Sequence, residues 1–237
     1  MTMIERELGK SNSRLAAWTM RGLSAALILF LSTKTFGAVI HVPADQPTVQ
    51  AGINAATSGD TVVVAPGTYV ENIDFGFKSL VVSSHFLFDQ DPAYILSTTM
   101  DGSSPTHPDT ASVVLIAGTQ DSTTVLQGFT ITHGTGTVWT DPHGAGIYRE
   151  GGGILIEYSS PIIRYNRIID NEAVQVRPGV SSAGGGGIRA GDGNPHILNN
   201  VISNNRGRYG GGIVLNFASG VIKNNVVAYN TGGEDYG

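Results

Sequence analysis

Gly151-Gly152-Gly153-Ile154, Gly185-Gly186-Gly187-Ile188 and Gly210-Gly211-Gly212-Ile213 open three equivalent stretches of this chain. Ile188 lies 34 positions after Ile154, and Ile213 lies 25 after Ile188. Two further registers keep those spacings. Pro161-Ile162-Ile163-Arg164-Tyr165-Asn166 returns as Pro195-His196-Ile197-Leu198-Asn199-Asn200 and then as Gly220-Val221-Ile222-Lys223-Asn224-Asn225. Asn171 returns as Asn205 and Asn230. The longer interval lies wholly between Asn171 and Ile188, so nine residues are inserted at one corner, within Glu172–Ala183. Three registers that survive an insertion define a unit of about 25 residues, and a fixed period of that length marks a solenoid.

Each unit carries three short β patterns, such as Ile154–Glu157, Ile162–Arg164 and Arg167–Ile169. Alternation puts Ile154 and Ile156 on one face and Leu155 and Glu157 on the other, which is expected to face outward. Positions 154/188/213 and 163/197/222 are Ile throughout, and 168/202/227 are Ile, Ile and Val. Stacked in parallel, they form aliphatic columns that no single unit could bury. The Asn columns 166/200/225 and 171/205/230 are expected at turns, in left-handed backbone, with amides bonding from coil to coil. The Gly triplets are expected to supply turns of positive φ.

The same grammar continues upstream. Val125–Gly134 matches the Asn-Asn-Val-Ile-Ser-Asn-Asn region, with Gly128 and Phe129 in place of two Asn. Thr61–Ala65, Tyr69–Ile73, Ser79–Ser83 and Ser112–Ala117 read as strands. Thr48–Ala56 reads as a short amphipathic helix, with Val49, Ile53 and Ala56 on one face and Pro47 at its start. Such a helix would cap the open first coil. The fold class is therefore all-β: a right-handed parallel β-helix of three-strand coils, a solenoid with a short N-terminal capping helix.

The apolar run Leu23–Leu31 follows Arg21 and is too short to span a bilayer. Thr35 and Gly37 fit the small-residue positions of a cleavage site, so residues 1–37 read as a signal peptide and residues 38–237 as one β-helix domain. Met20 is a second candidate start. The expected location is secreted or at a bacterial cell surface, with no transmembrane span in the mature chain. Residues 38–237 keep nine of the 14 basic and 17 of the 19 acidic residues, a net charge of −8. That field repels polyanions, so nucleic acid is not an expected partner. With no cysteine, disulfides and thiolate metal sites are excluded. The pattern calls for another Gly-Gly-Gly-Ile after Asn230, so the sequence reads as a fragment of a longer protein, or one whose last coil another chain covers.

His41–Ala56 with Gly59–Asn72 resembles the opening segment of the pectin-lyase-like superfamily. With the later repeats, the chain looks most like secreted bacterial proteins of right-handed β-helix repeats. This resemblance implies the fold and leaves the activity open, since the fold hosts many. The paired-Asp arrangement of the pectin methylesterases cannot be placed here. Asp141-Pro142-His143 is similar to the Asp-Pro-His motif of β-helical mannuronan epimerases, which implies abstraction of the proton beside a sugar carboxylate. That chemistry needs a base, a proton donor and a group that neutralises the carboxylate. His143, Tyr148, Arg149 and Glu150 are the neighbours that could supply them. The same residues also make an ordinary Asp-Pro turn.

Stacking offers a second cluster. Outward positions 155/189/214 are Leu, Arg and Val, and 157/191/216 are Glu, Gly and Asn. Arg189 would then sit one coil from Glu157 on an exposed sheet. The resemblance implies that an Arg on such a face can act as a lyase base, often beside calcium. A surface ion pair of little energetic worth is the alternative. The candidate site residues are therefore Asp141, His143, Arg149, Glu157 and Arg189. No cofactor or metal is expected, and calcium has no loop motif. Trp139, Tyr148, Tyr158, Tyr209 and Phe217 could stack on sugar rings, or cap coil edges. Two functions follow: a non-catalytic β-helix that binds polysaccharide or cell-surface glycan, or a lyase or epimerase acting on a uronic-acid polymer.

Overall fold

A computed structural model of the protein describes residues 37–174 and 177–232. The expected export segment falls outside these residues save for Gly37, as do Gly233–Gly237.

The aliphatic repeats stack in the register that their spacing implies. Ile154 pairs in parallel with Val114 on one side and Ile188 on the other, and Ile188 pairs with Ile213. A second column runs Ile40, Val62, Val82, Leu126, Ile163, Ile197 and Ile222, one residue from each successive strand. A third runs Met100, Ile131, Ile168, Ile202 and Val227. The columns line three parallel sheets of five, seven and six strands, and they meet in one core. Full burial of each such side chain contributes about 1.5–3 kcal/mol, and the stack supplies it only when neighbouring repeats are present. The protein is thus all-β, with long parallel sheets stacked on one another, an arrangement compatible with a β-helix solenoid. The repeats also carry a fourth strand of two residues, Glu172–Ala173, Arg206–Gly207 and Thr231–Gly232, in a small sheet of its own.

The N-terminal helix spans Val49–Ala55 and is capped by the Thr48 side chain, which accepts from Ala51 N. The Glu71 carboxylate accepts from Val49 N and Gln50 N, both at 2.9 Å, placing a negative charge at the positive end of the helix. Val49, Gly52 and Ile53 are buried. A β-carbon at Gly52 would press on Val62 and Val42, so the helix lies close upon the first strands. Two short helices, Phe86–Asp89 and Ala93–Ser97, interrupt the strand pattern. Periodicity could not reveal them, because neither reaches two turns.

The Asn columns are hydrogen-bonded ladders, buried at Asn166, Asn171, Asn200 and Asn205 and half-buried at Asn225 and Asn230. Asn171 Nδ2 donates to Asn205 Oδ1 at 3.0 Å, and Asn205 Nδ2 to Asn230 Oδ1 at 2.9 Å. Asn166 and Asn200 repeat this on a second edge, with Asn200 donating to Asn225. The expectation of left-handed backbone at these positions is corrected. The left-handed residue is the one before: Tyr165, Asn199 and Asn224 on one column, His133, Asp170, Asn204 and Tyr229 on the other. The preceding residue makes the turn, and its twist aims the Asn amide inward along the stack. The Gly triplets divide similarly. Gly151 and Gly185 have positive φ. Gly152 and Gly186 do not; a β-carbon on Gly152 would collide with Gly186 O and Glu172 O of the packed backbone.

Candidate functional site

Simple alternation leaves Leu155, Glu157 and Arg189 on the outer face of their sheet, facing water. The structure corrects this: Leu155 is 0 % exposed, Glu157 2 % and Arg189 3 %. The cover is an antiparallel hairpin, Gly136–Thr140 and Ile147–Glu150. Thr137 lies opposite Glu150, and Trp139 opposite Tyr148, so these four side chains share one face. Val138 and Arg149 occupy the other. The nine-residue insertion adds the strand Ser181–Gly184, which pairs in parallel with the hairpin and extends the cover.

Under this roof Arg189 Nη2 meets Glu150 Oε1 at 3.2 Å, with both side chains buried. Arg189 Nη1 also donates to Ala190 O at 2.7 Å. The expected surface ion pair is therefore a buried one, and its partner is Glu150. Glu157 lies over Gly191 of the next strand, where any β-carbon would collide with its carboxyl oxygens. Two buried carboxyl groups thus lie within the field of one guanidinium, which pairs with Glu150. Burial pushes the Glu157 carboxyl up to about 8, helped by the adjacent Glu150 and offset by Arg189. Burial raises Glu150 too, with Arg189 opposing. Glu150 Oε2, Glu157 Oε1, Arg189 Nε and Trp139 Nε1 are buried without a hydrogen-bond partner among the described residues.

The turn of the hairpin closes the outer side. Asp141 Oδ1 accepts from His143 N at 2.7 Å and Ala145 N at 3.3 Å, the local bonding that an Asp-Pro turn favours. His143 Nε2 lies 3.0 Å from Asp192, and its ring stacks on Phe217 with centroids 3.8 Å apart. Asp192 and Phe217 sit at equivalent left-handed corners of successive repeats, so the turn is fastened across two of them. Tyr148 Oη donates to Ala145 O at 2.9 Å.

A cavity of about 240 Å³ opens beside this cluster. Tyr148 and Tyr209 flank it, Glu150 and Arg189 lie at its floor, and Asp141 and Asn216 stand at its polar rim. A tighter recess adjoining it brings Trp139, His143, Glu157 and Asp192 to the same place.

Four of the five residues singled out by sequence meet here: Asp141, His143, Glu157 and Arg189. Arg149 does not join them. Its Nη1 donates to Pro108 O and Gly136 O, both at 2.7 Å, and its Nη2 reaches Asp109 at 3.0 Å. Arg177 holds the other oxygen of Asp109 at 2.7 Å. That bond and the paired positive charges keep the Asp109 carboxyl below its ordinary value. Arg149 therefore ties the hairpin down from behind. Glu150 was legible only as a neighbour of the motif. The period of two within Tyr148–Glu150 is the signal that sets Arg149 and Glu150 on opposite faces. Among the described residues, no three His, Asp or Glu side chains are arranged so as to hold a metal ion.

The chain matches no protein-family model, and no curated protein matches its sequence.

Proposed function

We propose that this protein binds carbohydrate in the cavity beneath the hairpin, as a secreted or surface-attached bacterial β-helix. The observation that carries this reading is one cavity of about 240 Å³ that sets two tyrosines beside Asp141, Glu150, Arg189 and Asn216. Aromatic faces suit the apolar face of a sugar ring, and fixed carboxylate and amide groups suit its hydroxyls. The export segment and the pectin-lyase-like resemblance belong to the same proposal. So does the finer fold, right-handed and built of coils with three main strands. Parallel crossovers are right-handed in about 98 % of cases, which supports the hand.

A second reading, acid–base catalysis on the bound sugar, is favoured by Glu157. A carboxyl pushed up to about 8 keeps its proton at neutral pH beside a second carboxyl held by Arg189, the pairing that acid–base work on a sugar needs. A lyase or epimerase acting on a uronic-acid polymer would further need a cation to neutralise the substrate carboxylate. Arg189 is already engaged by Glu150. The geometry therefore supports binding ahead of uronate chemistry.

The test is a glycan array with residues 38–237, followed by calorimetry on the hits and an absorbance assay for unsaturated products. Binding that weakens on Tyr209→Ala, with no product formed, is the expected result. Product formation that Arg189→Ala abolishes would install the catalytic reading instead. An array without hits would overturn the binding reading.

A further inference from the structure

The charges around the cavity are unbalanced. Asp141, Glu150, Glu157 and Asp192 line it or the adjoining recess, against Arg189 and His143. His143 is turned toward Asp192 and stacked on Phe217, so it does not face the cavity floor. Glu150 is 3 % exposed, lines the cavity, and has one carboxyl oxygen on Arg189 and the other unpartnered. Glu157, also buried, has an unpartnered oxygen in the recess. A neutral hydroxyl can bond to such oxygens, but it does not relieve the crowding of two carboxyls. A cation does. A metal ion would need three or more converging ligands, which the described residues do not assemble. An ammonium group needs only acceptors and a snug apolar wall. Tyr148 and Tyr209 supply the wall, and Tyr209 is itself crossed by the Arg208 guanidinium at 4.9 Å from the ring centroid, so it already serves as a cation-facing ring.

We infer that this cavity seats the protonated amine of an amino sugar between Glu150, Asp141 and Asn216. Arg189 stays on Glu150 and fixes where the acceptor oxygen points. The groups facing the Glu150–Glu157 pair are Arg189 and Asp192 from the sheet side and Asp141 from the hairpin turn. The acidic neighbours oppose ionisation of the pair until the ligand cation offsets them. This inference rests on the carbohydrate reading and names the sugar class.

The experiment compares glucosamine oligomers, their N-acetylated counterparts, neutral glucan oligomers and oligogalacturonate by calorimetry on residues 38–237. The buffer is mildly acidic, so that the amine is charged. The amine oligomer is expected to bind about tenfold tighter than its N-acetylated form, a difference of about 1.4 kcal/mol. Glu150→Gln should abolish the preference. Asp141→Asn, on the exposed turn, should reduce it, and it remains informative if the buried substitution fails to fold. Equal binding of amine and N-acetyl oligomers overturns the ammonium seat and leaves the carbohydrate reading standing. Tightest binding of oligogalacturonate does the same. A preference that survives Asp141→Asn and Glu150→Gln also overturns it. If no oligomer binds, both readings fall.

Discussion

At Glu157 burial pushes the carboxyl from an ordinary 4.5 up to about 8, with Glu150 adding to the rise and Arg189 opposing it. The sign of the consequence for stability is fixed by linkage. The native protein holds this proton more tightly than the unfolded chain does. Stability from this group is fully present below pH 4.5, falls as pH rises from there to about 8, and is level above. Glu150, raised for the same first reason, adds to the same slope. Glu157→Gln keeps the shape and removes the titration. Urea unfolding at a series of pH values should therefore show a shallower decline for Glu157→Gln than for the natural chain, and the variant should be the more stable of the two in alkaline buffer. An unchanged slope would mean that the carboxyl is solvated in the folded protein. The geometry accounts for why such a residue is tolerated at all. Gly191 leaves room for the carboxyl, and Arg189 lies two residues before it on the same strand face. A buried ion pair adds little net stability once desolvation is counted, so the cluster is a feature of the site more than of the fold.

The strand Ile154–Glu157 shows what a pattern can and cannot reveal about an element. Ile154 and Ile156 were legible as core from repeat columns and alternation, and both are fully buried. The same alternation put Leu155 outside, where a Leu→Asp change should cost little. It lies instead beneath the hairpin Gly136–Thr140 and Ile147–Glu150, in a second buried layer. A roof contributed by residues close in sequence but outside the repeat leaves no periodic trace, because its side chains recur nowhere else. For the same reason Asp141, His143, Glu157 and Arg189 could be named from sequence as two separate candidates, while their union was not readable. Only the hairpin's fold-back brings the turn to the sheet. The Asn ladders were readable because they recur, yet their left-handed neighbours were not: Tyr165, Asp170 and Tyr229 are poor sequence signals for that backbone. Ile188→Asp and Leu155→Asp are therefore both expected to cost several kcal/mol, each placing a charge without a partner in an apolar layer. Their unfolding midpoints should both drop. A midpoint for Leu155→Asp close to that of the natural chain would show that the hairpin lifts readily from the sheet.

Stacking makes stability local along the whole molecule, because each repeat contacts only its neighbours. The middle of the column is sealed: Ile163, Ile168, Ile197 and Ile202 are each 0 % exposed. Their equivalents Ile222 and Val227 are 46 % and 50 % exposed, and Val221 and Val226 beside them are exposed as well. The strands Val221–Lys223 and Val226–Ala228 are the outermost of their sheets among the described residues, with a neighbour on one side only. They are nonetheless hydrogen-bonded to that neighbour, Val221 N to Pro195 O and Val226 N to Asn200 O, both at 2.9 Å. Opening them alone breaks one row of bonds and uncovers aliphatic side chains already half wet. Opening Ile162–Arg164 or Val201–Ser203 breaks two rows and uncovers sealed ones. Hydrogen exchange should therefore follow position along the stack. Amides of Val201–Ser203 are expected to exchange close to the global unfolding rate, and those of Val226–Ala228 faster by orders of magnitude, with Asn205 and Asn230 marking the step between them. Mass spectrometry of exchanged peptides over residues 195–232 reads this directly, at two protein concentrations. Fast exchange of the outer strands at both would bear out a stack that thins toward that face. Protection of Val226–Ala228 equal to that of Val201–Ser203 would contradict it, since one-sided pairing and half-exposed valines cannot hold those amides, and would show that a further surface covers them.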